Sequence, residues 1–264
     1  MKLLFIIQGE GRGHFTQALV MQELARSRGD EVVACLVGKS EHRRLPEYFL
    51  SKMKTPVESF VSPNFLPTAQ NKRPNLVKST LYNLLRLPRY VSGMKFIRDK
   101  IREYQPDIVV NFYELLTGLT YFFISPQVPM VCVGHQYMFL HRKFRFKKTF
   151  SIPMFSLRFF TRMTSLGASK KLALSFYPMP DDYKRGIIVV PPLLRKEVMQ
   201  LQIADGDYIH GYVLNSGYIE EIKKWHQAHP DMKLDFFWDK RDAPSDMAVD
   251  ANLSLHRIDD KKFL

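Results

Sequence analysis

Three glycines alternate with other residues in a short turn that directly follows an apolar run. Residues 3–7 are all apolar, and after Gln8 the chain continues through Gly9, Gly11, Gly13 and His14. A helical pattern begins just beyond, so this order predicts a strand, a tight turn and a helix. Glycine can reach unusual φ values in such a turn and lets a ligand approach the backbone. We therefore expect a ligand crevice at the carboxyl end of the first parallel strand, with His14 open to solvent at its rim.

Glycine turns of this spacing mostly hold dinucleotides, but the second strand argues against that ligand. A dinucleotide site also needs an acidic residue about 20 residues further on, where the second strand ends. Here the predicted second strand, 31–37, is followed by Gly38, Lys39 and Ser40. The sequence therefore disfavours NAD.

Short apolar runs alternate with helical patterns from residue 2 to about 190, which predicts a parallel sheet covered on both faces. The predicted strands are 2–8, 31–37, 108–113, 130–134, 172–176 and 187–190. The predicted helices are 16–28, a stretch around 43–52, a long region 75–104 interrupted at Pro88, and 114–123. In the first helix, Ala18, Met21, Leu24 and Ala25 form the predicted apolar side. Residues 55–74 read as an irregular, proline-containing loop.

A pair of prolines, Pro191 and Pro192, ends this alternation and predicts a domain boundary, because each fixes φ and removes a backbone donor. Beyond it we predict strands at 207–214, 233–238 and 253–256 and a helix at 218–229. The predicted organisation is α/β, with two doubly wound, Rossmann-like domains at 1–190 and 205–264 and a linker at 191–204. Three parallel strands leave an edge unpaired. We therefore expect the second domain to be incomplete, truncated relative to its relatives or completed by a partner.

Most of the net charge of +13 is local. No acidic residue occurs between Glu114 and Asp181, a stretch that holds nine cations: Arg142, Lys143, Arg145, Lys147, Lys148, Arg158, Arg162, Lys170 and Lys171. Phenylalanines interleave with them at 139, 144, 146, 150, 155, 159 and 160. This composition suits peripheral contact with an anionic membrane through 139–171. One alternative is a solvated basic face whose aromatic side chains are turned to the core. Another is a nucleic-acid-binding surface, which we do not expect because no nucleic-acid-binding motif accompanies the charge.

The two cysteines and the apolar segments indicate the cellular compartment in which the protein is expected. Cys35 and Cys132 both fall in predicted buried strands, and two such thiols make no disulfide framework. The apolar start ends at Gln8, too short for a signal-peptide core, and the longest apolar region, 115–133, is interrupted at 125–129. We expect a cytoplasmic protein, placed at the inner face of the membrane if the basic segment binds lipid.

With these features the chain resembles glycosyltransferases of the GT-B type, and most of all the MurG-like branch and its uncharacterised relatives. The matching segments are 9–18, 106–112, 134–136 and 214–217. The resemblance implies transfer of a sugar from a nucleotide-activated, UDP-linked donor to a hydroxyl acceptor. Its implied substrate contacts are Gly11, Arg12, Gly13, His135 and Gln136, and its implied donor-phosphate contacts are Asn215, Ser216 and Gly217. The chain departs from the family at Asn111, where an aspartate is usual, and in lacking the later segments that hold the donor.

Sugar transfer by direct displacement with inversion needs a base for the acceptor proton, and histidine suits this task near neutral pH. We predict His14 as that base, or alternatively as a residue that only shapes the turn. Glu114 is predicted at the same edge of the sheet, where its carboxylate orients the imidazole, or else serves as a first-turn acid stabilised by the helix dipole. His135 contacts substrate or is a structural turn residue. The N–H groups of Ser216 and Gly217 bind phosphate or form a plain helix cap. We predict no cofactor and no metal site.

Three functions remain open from the sequence. The first is a glycosyltransferase whose acceptor is lipid-linked or hydrophobic. The second is a non-catalytic binding module, a truncated relative that keeps the acceptor crevice and the basic surface and binds lipid without turnover. The third, an epimerase of the same architecture, would need paired acid and base carboxylates and the missing C-terminal half.

Overall fold

The computed structural model describes residues 1–41, 43–66, 75–146, 152–202, 205–213, 215–240, 242–259 and 262–263. These fall into two compact units, residues 1–64 with 83–195, and residues 65–82 with 196–264. The division after Arg195 lies inside the predicted linker. The grouping of 65–82 with the second unit was not predicted, because chain order does not show which unit a loop segment joins. Among the residues singled out above, Lys147, Lys148, Phe150 and Leu214 lie outside the described residues.

The first unit is built on a seven-stranded parallel sheet in the order β3-β2-β1-β4-β5-β6-β7. Its strands are β1 (Lys2–Gln8), β2 (Glu31–Lys39), β3 (Val57–Val61), β4 (Ile108–Phe112), β5 (Met130–Gly134), β6 (Lys170–Leu174) and β7 (Ile187–Val190). β1 pairs in parallel with both β2 and β4, so the strand order reverses beside it. In open α/β sheets, ligands bind outside the carboxyl ends of the strands at such a switch point.

Helices cover both faces of this sheet. They are α1 (Arg12–Ser27), α2 (Glu47–Lys52), α4 (Leu87–Tyr104), α5 (Leu115–Phe123) and α6 (Ile152–Thr164). A further helix, α3 (Leu76–Leu84), has residues in the ranges of both units. Phe15 of α1 and Phe49 of α2 pack against Phe5 of β1 on one face. Ile97 of α4 and Leu116 of α5 join the core of the other face. The doubly wound α/β prediction is confirmed for this unit.

Several predicted boundaries and faces of the first unit need correction. α1 begins at Arg12, four residues before the predicted start, and its buried face includes Phe15, Ala18 and Leu19, whereas Leu24 is 46% exposed. β3 lies inside the predicted loop, and only Phe60 among its residues is buried, so its apolar signal is weak. The helical stretch predicted around 43–52 begins at Glu47, because Pro46 precedes it in an extended conformation. Cys35 and Cys132 are buried and free, as predicted.

The second unit contains a smaller, four-stranded sheet in the order β10-β11-β9-β8. Its strands are β8 (Tyr208–Val213), β9 (Lys233–Trp238), β10 (Asp246–Ala248) and β11 (Leu253–Arg257), and its helices are α7 (Lys196–Met199) and α8 (Ile219–Ala228). Ile219, Leu234 and Leu255 lie in its core. The sequence missed β10, a strand of three residues that pairs antiparallel with β11. The sheet is therefore not the three-stranded parallel remnant that was expected.

No helix in the described ranges is long and apolar enough to cross a membrane.

Gly118 of α5 generates a stability prediction, because it lies directly against α6. A Cβ at this position would overlap the carbonyl oxygen of Met163 and lie 2.8 Å from the carbonyl carbon of Thr164, and neither backbone atom can turn aside. Overpacking of this kind costs about 1–3 kcal/mol, and we expect Gly118→Ala to lower the free energy of unfolding by about that amount. Urea denaturation measures it.

The matched control is Gly13→Ala, since a Cβ at Gly13 of α1 has nothing within 4 Å. Gly-to-Ala in a helix is worth about 0.5–1 kcal/mol in favour of alanine, so this variant should unfold no more easily than the parent chain. Equal stability of Gly118→Ala and the parent would contradict the close contact of α5 with α6.

Candidate functional site at the carboxyl edge of the first sheet

The glycine turn joins β1 to α1 through a close backbone contact with β2. The N–H of Gly9 donates to the carbonyl of Gly38 over 2.7 Å, and a Cβ at Gly9 would lie 2.8 Å from Cγ1 of Val37. Gly9, Gly11 and Gly13 are not among the positive-φ glycines, so the expectation of unusual φ values is wrong. Glycine is required at position 9 for the close approach of two strands.

The space beside the other two glycines is open. A Cβ at Gly13 would meet nothing within 4 Å, and one at Gly11 would meet Cδ2 of His14 at 3.6 Å. Gly11 precedes α1 and has no side chain with which to cap it. The first N–H groups of a helix have no partner within the helix, so the first turn of α1, which begins at Arg12, offers donors to a ligand.

Two polar side chains that the sequence analysis did not single out hold this turn in place. Oε1 of Gln8 accepts from the N–H groups of Glu10 and Gly11, each over 3.3 Å. Oε1 of Glu10 accepts from the N–H of Ser40 over 2.7 Å, which ties the turn to the end of β2. The contact of Glu10 with Ser40 joins residues that only the fold brings together, and no periodic pattern in the sequence indicates it.

The His14 side chain is buried, only 8% exposed, so the expectation of an imidazole open to solvent is wrong. His14 is the third residue of α1, and its ring stacks on that of Tyr113, with centroids 5.6 Å apart and an angle of 18° between the planes. Its Nδ1 atom and Oε1 of Gln17, one turn along the helix, are both buried and form no hydrogen bond of normal geometry, but the two side chains are close enough to interact. The early start of α1 explains the burial, because the ring sits on the helix and packs inward.

Burial lowers the pKa of His14 to about 4, because the charged ring would lose its hydration. The amide of Gln17 offsets part of this effect, and the positive form of His135 adds to it by repulsion. His14 is therefore a neutral imidazole at pH 7, and a neutral ring can accept a proton.

Tyr113 positions His14 and is the residue that sequence reasoning missed. It follows β4 with φ of +65°, in the left-handed region that a bulky side chain rarely adopts. Its hydroxyl lies 2.7 Å from Oγ1 of Thr161, and its ring also contacts those of Tyr137 and Phe160. Strained backbone of this kind costs about 1–3 kcal/mol and is concentrated at functional sites. An aromatic residue directly after a buried strand was the sequence signal available.

Glu114 does not contact His14, and the predicted orienting role for its carboxylate is wrong. One carboxylate oxygen accepts from the hydroxyl of Ser62, and the other accepts from the N–H and hydroxyl of Thr117 at 2.7 and 2.8 Å. Glu114 is thus the N-cap of α5, close to the alternative that placed it as a helix-start acid. Burial raises its pKa, and the hydrogen bonds from Ser62 and Thr117 oppose that rise.

Asn111 stands where the family usually has an aspartate, and the structure gives it a supporting role. Its amide nitrogen donates to the carbonyls of Thr164 and Glu114, at 2.8 and 3.1 Å, and its Oδ1 accepts from the N–H of Glu114 at 2.8 Å. An aspartate has no donor for those two carbonyls. The asparagine therefore holds the turn that presents Tyr113 and caps α5.

The remaining predicted substrate residues lie at the ends of neighbouring strands. His135 follows β5, its Nδ1 donates to the carbonyl of Leu174 over 3.0 Å, and its ring stacks on Phe176. Oε1 of Gln136 is buried without a hydrogen bond. The guanidinium of Arg12 lies 5.6 Å from the ring centre of Tyr48. His14 and His135 are near enough to interact electrostatically, so the first sheet brings these two predicted residues together.

The predicted donor-phosphate turn belongs to the second unit and differs from expectation. Ser216–Tyr218 forms a 3₁₀ turn, and α8 begins only at Ile219. The carbonyl of Asn215 accepts from the N–H of Tyr218 over 3.1 Å, and the Asn215 side chain does not cap the turn. Glu220 and Glu221 in the first turn of α8 disfavour an anion at that helix start. In the described part of the chain, no three His, Cys, Asp or Glu side chains are grouped to hold a metal ion.

A comparison with protein families identifies the chain. A family model described as Glycosyl transferase family 1 matches residues 1–264. The chain belongs to this family. The match does not separate the MurG-like branch from the others, and no curated protein matches the sequence significantly.

Solved structures support the fold. The S. aureus MnaA–UDP co-structure is 12% identical with a TM-score of 0.55, and the alignment covers 91% of this chain and 62% of that one. A glycotransferase of kitacinnamycin is 11% identical with a TM-score of 0.58, covering 98% and 72%. A putative UDP-N-acetylglucosamine 2-epimerase from Listeria monocytogenes is 13% identical with a TM-score of 0.54, covering 91% and 63%. The GT-B, Rossmann-like fold is confirmed, and this chain spans less than two thirds of the first and third of these proteins.

The buried His14 generates a prediction about stability and pH. Its pKa is about 4 when folded and 6.5 as the ordinary value, so the unfolded chain takes up a proton first as the pH falls. The contribution of the neutral ring is fully present above pH 6.5 and is lost between 6.5 and 4, by up to about 3 kcal/mol. We expect His14→Phe and His14→Gln to lose less stability over this interval than the parent chain, in urea denaturation at each pH. Identical pH slopes would contradict a buried, neutral ring.

Proposed function

We propose that the chain transfers a sugar from a UDP-linked donor to a hydroxyl acceptor, with His14 as the base. The observation that supports this most is a neutral imidazole whose Cδ2 edge lies next to the open glycine backbone, 3.6 Å from where a Cβ at Gly11 would be. His14 follows β1, beside which the strand order reverses, and folds of this type bind ligands at such a switch point.

The reaction proceeds in one displacement at the anomeric carbon. The acceptor oxygen forms a bond to that carbon while its proton passes to the imidazole of His14. The bond from the anomeric carbon to the diphosphate oxygen breaks, and UDP leaves with the electron pair, so the configuration inverts. Tyr113 and Asn111 act as positioning residues, because they fix the ring and the turn behind it.

Two structural neighbours support a UDP-linked donor, since one is a complex of MnaA with UDP and the other is a putative UDP-N-acetylglucosamine 2-epimerase. For the donor phosphate we retain the turn at Asn215, Ser216 and Gly217, which follows the first strand of the second unit. For the acceptor we retain the predicted residues Gly11, Arg12, Gly13, His135 and Gln136, with the open backbone at Gly11 and Gly13 as its approach.

The basic segment supports a peripheral membrane contact and a hydrophobic or lipid-linked acceptor. Phe155 and Phe159 on α6 are 59% and 56% exposed. Other phenylalanines of this segment contact the protein itself, as the alternative of a basic face with inward-facing aromatics predicts. The rings of Phe139, Phe144 and Phe146 pack on one another, and Phe160 packs against the core. The exposed pair on α6 is thus the part of 139–171 that we assign to the membrane.

A non-catalytic binding module is the second candidate, and the low pKa of His14 favours it. A base with a pKa of about 4 is weaker than one near 7, so proton transfer to it has less driving force. This candidate predicts binding of lipid or acceptor with no release of UDP.

Turnover separates the two candidates. With a panel of UDP-sugars and hydrophobic alcohol acceptors, we expect acceptor-dependent release of UDP, and a loss of about 10²- to 10⁴-fold in His14→Gln, the usual contribution of a general base. The rate should fall on acidification with an apparent pKa well below 6.5, because the free ring titrates near 4. A coupled assay for UDP measures both.

The matched control is His229→Gln, the same change at an exposed histidine. It should turn over like the parent chain. UDP release that is equal in His14→Gln and in the parent would contradict the proposed base, and no release with any donor would favour the binding module. Circular dichroism of each variant confirms that it is folded.

A further inference from the structure

A cavity of about 710 Å³ lies in the first unit, beside α6 and the edge of the sheet. Lys171, the second residue of β6, and Ile187, the first of β7, both line it. These are the amino-terminal ends of the strands, whereas His14 and His135 lie at carboxyl ends. The cavity is therefore separate from the site proposed for sugar transfer.

The cavity wall combines positive charge with apolar surface. Its cations are Arg158, Arg162, Lys171 and Arg185, and its main apolar residues are Leu140, Met154, Phe155, Phe159 and Leu166. The described lining includes no aspartate or glutamate. This composition suits a ligand that is anionic at one end and apolar at the other.

Two of the four cations already have partners in the protein. Nζ of Lys171 donates to the carbonyl of Arg185 over 3.0 Å. The guanidinium of Arg185 donates to the carbonyl of Leu140 over 2.6 Å and lies 3.9 Å from the carboxylate of Asp182. Burial also lowers the pKa of Lys171, so an anion nearby would stabilise its charged form.

Arg158 and Arg162 have neither a hydrogen bond nor an ion pair from their side chains within the described ranges. They are four residues apart on α6 and therefore on one face of the helix, where like charges repel. An anion between them would remove this repulsion and accept from both guanidinium groups. Arginine binds phosphate through two parallel hydrogen bonds, which makes phosphate the anion of choice.

Exposed aromatic rings adjoin these arginines. Phe155 and Phe159 also lie four residues apart on α6 and stack with centroids 6.4 Å apart. Gly167 of the cavity wall packs against Tyr121, and the next two residues, Phe122 and Phe123, are 59% and 67% exposed. Aromatic side chains beside cations are typical of surfaces that enter the boundary of a lipid bilayer.

We propose that this cavity binds an anionic membrane phospholipid, with its phosphate between Arg158 and Arg162 and the start of its acyl chains against Phe155 and Phe159. The volume is in the range of small-molecule sites and exceeds what a phosphate ion alone would fill. The inference rests on the membrane contact proposed above, to which it gives a lipid class and a binding site. It does not depend on sugar transfer.

A soluble short-chain lipid tests the cavity directly. We expect dihexanoyl phosphatidic acid, kept below its critical micelle concentration, to bind the whole chain in isothermal titration calorimetry, with dihexanoyl phosphatidylcholine at least tenfold weaker. The double variant Arg158→Gln/Arg162→Gln should lose at least tenfold in affinity. The control Arg26→Gln/Arg28→Gln removes two exposed arginines at the end of α1, on the other face of the sheet, and should bind like the parent.

Three results would overturn the proposal. The first is equal affinity for the two lipids, and the second is an equal loss of affinity in the two double variants. The third is binding of inorganic phosphate as tight as that of phosphatidic acid, which would leave the apolar wall without a role. Circular dichroism establishes that each variant is folded before it is titrated.

Flotation with vesicles of phosphatidylcholine and phosphatidic acid reports on the membrane contact separately. Binding of the soluble lipid without flotation would contradict the membrane contact and, with it, a membrane phospholipid as the occupant of the cavity. Flotation that survives in Arg158→Gln/Arg162→Gln, together with unchanged calorimetry, would contradict the cavity site. Neither result depends on UDP release, so failure of the sugar-transfer proposal is distinguishable from failure of this one.

Discussion

The close approach of Gly9 to the end of β2 is the constraint on which the candidate site depends. The contact allows the chain to leave β1, make a hydrogen bond to Gly38 and enter α1 at once, within three residues of the strand. A second glycine takes part, because the carboxylate of Glu114 occupies the place where a Cβ at Gly38 would lie. Two missing Cβ atoms thus bring the ends of β1, β2 and β4 together.

From that arrangement follows the state of His14. Because α1 starts directly after the turn, its third residue faces Tyr113 and loses contact with water. The ring is neutral, and Nδ1 has no hydrogen bond. The left-handed backbone of Tyr113 is held by the Asn111 hydrogen bonds and by the contact of its hydroxyl with Thr161. The protein therefore uses folding energy to hold an imidazole away from solvent, which strengthens any hydrogen bond that a ligand makes to it.

Sequence patterns predicted the long apolar elements well. The bounds of β1, β5, β7 and β9 agree with those expected, because each of these strands contains a continuous apolar run. β3 and β10 were missed, since they are short edge strands with few buried side chains. The burial of His14, the φ of Tyr113 and the capping by Glu114 arise from contacts between residues far apart in sequence. No local pattern encodes such contacts, so the residue types of the site were predictable and their geometry was not.

The central claim is that His14 is a neutral ring at pH 7 and presents its edge beside Gly11 to a ligand. Nitrogen-15 NMR of the histidine-labelled chain measures the protonation of each ring nitrogen directly. The account predicts a neutral His14 ring at pH 5.5, with nitrogen shifts that change when a UDP-sugar and a hydroxyl acceptor are added together. A ring that titrates near 6.5 and does not respond to these ligands would contradict it.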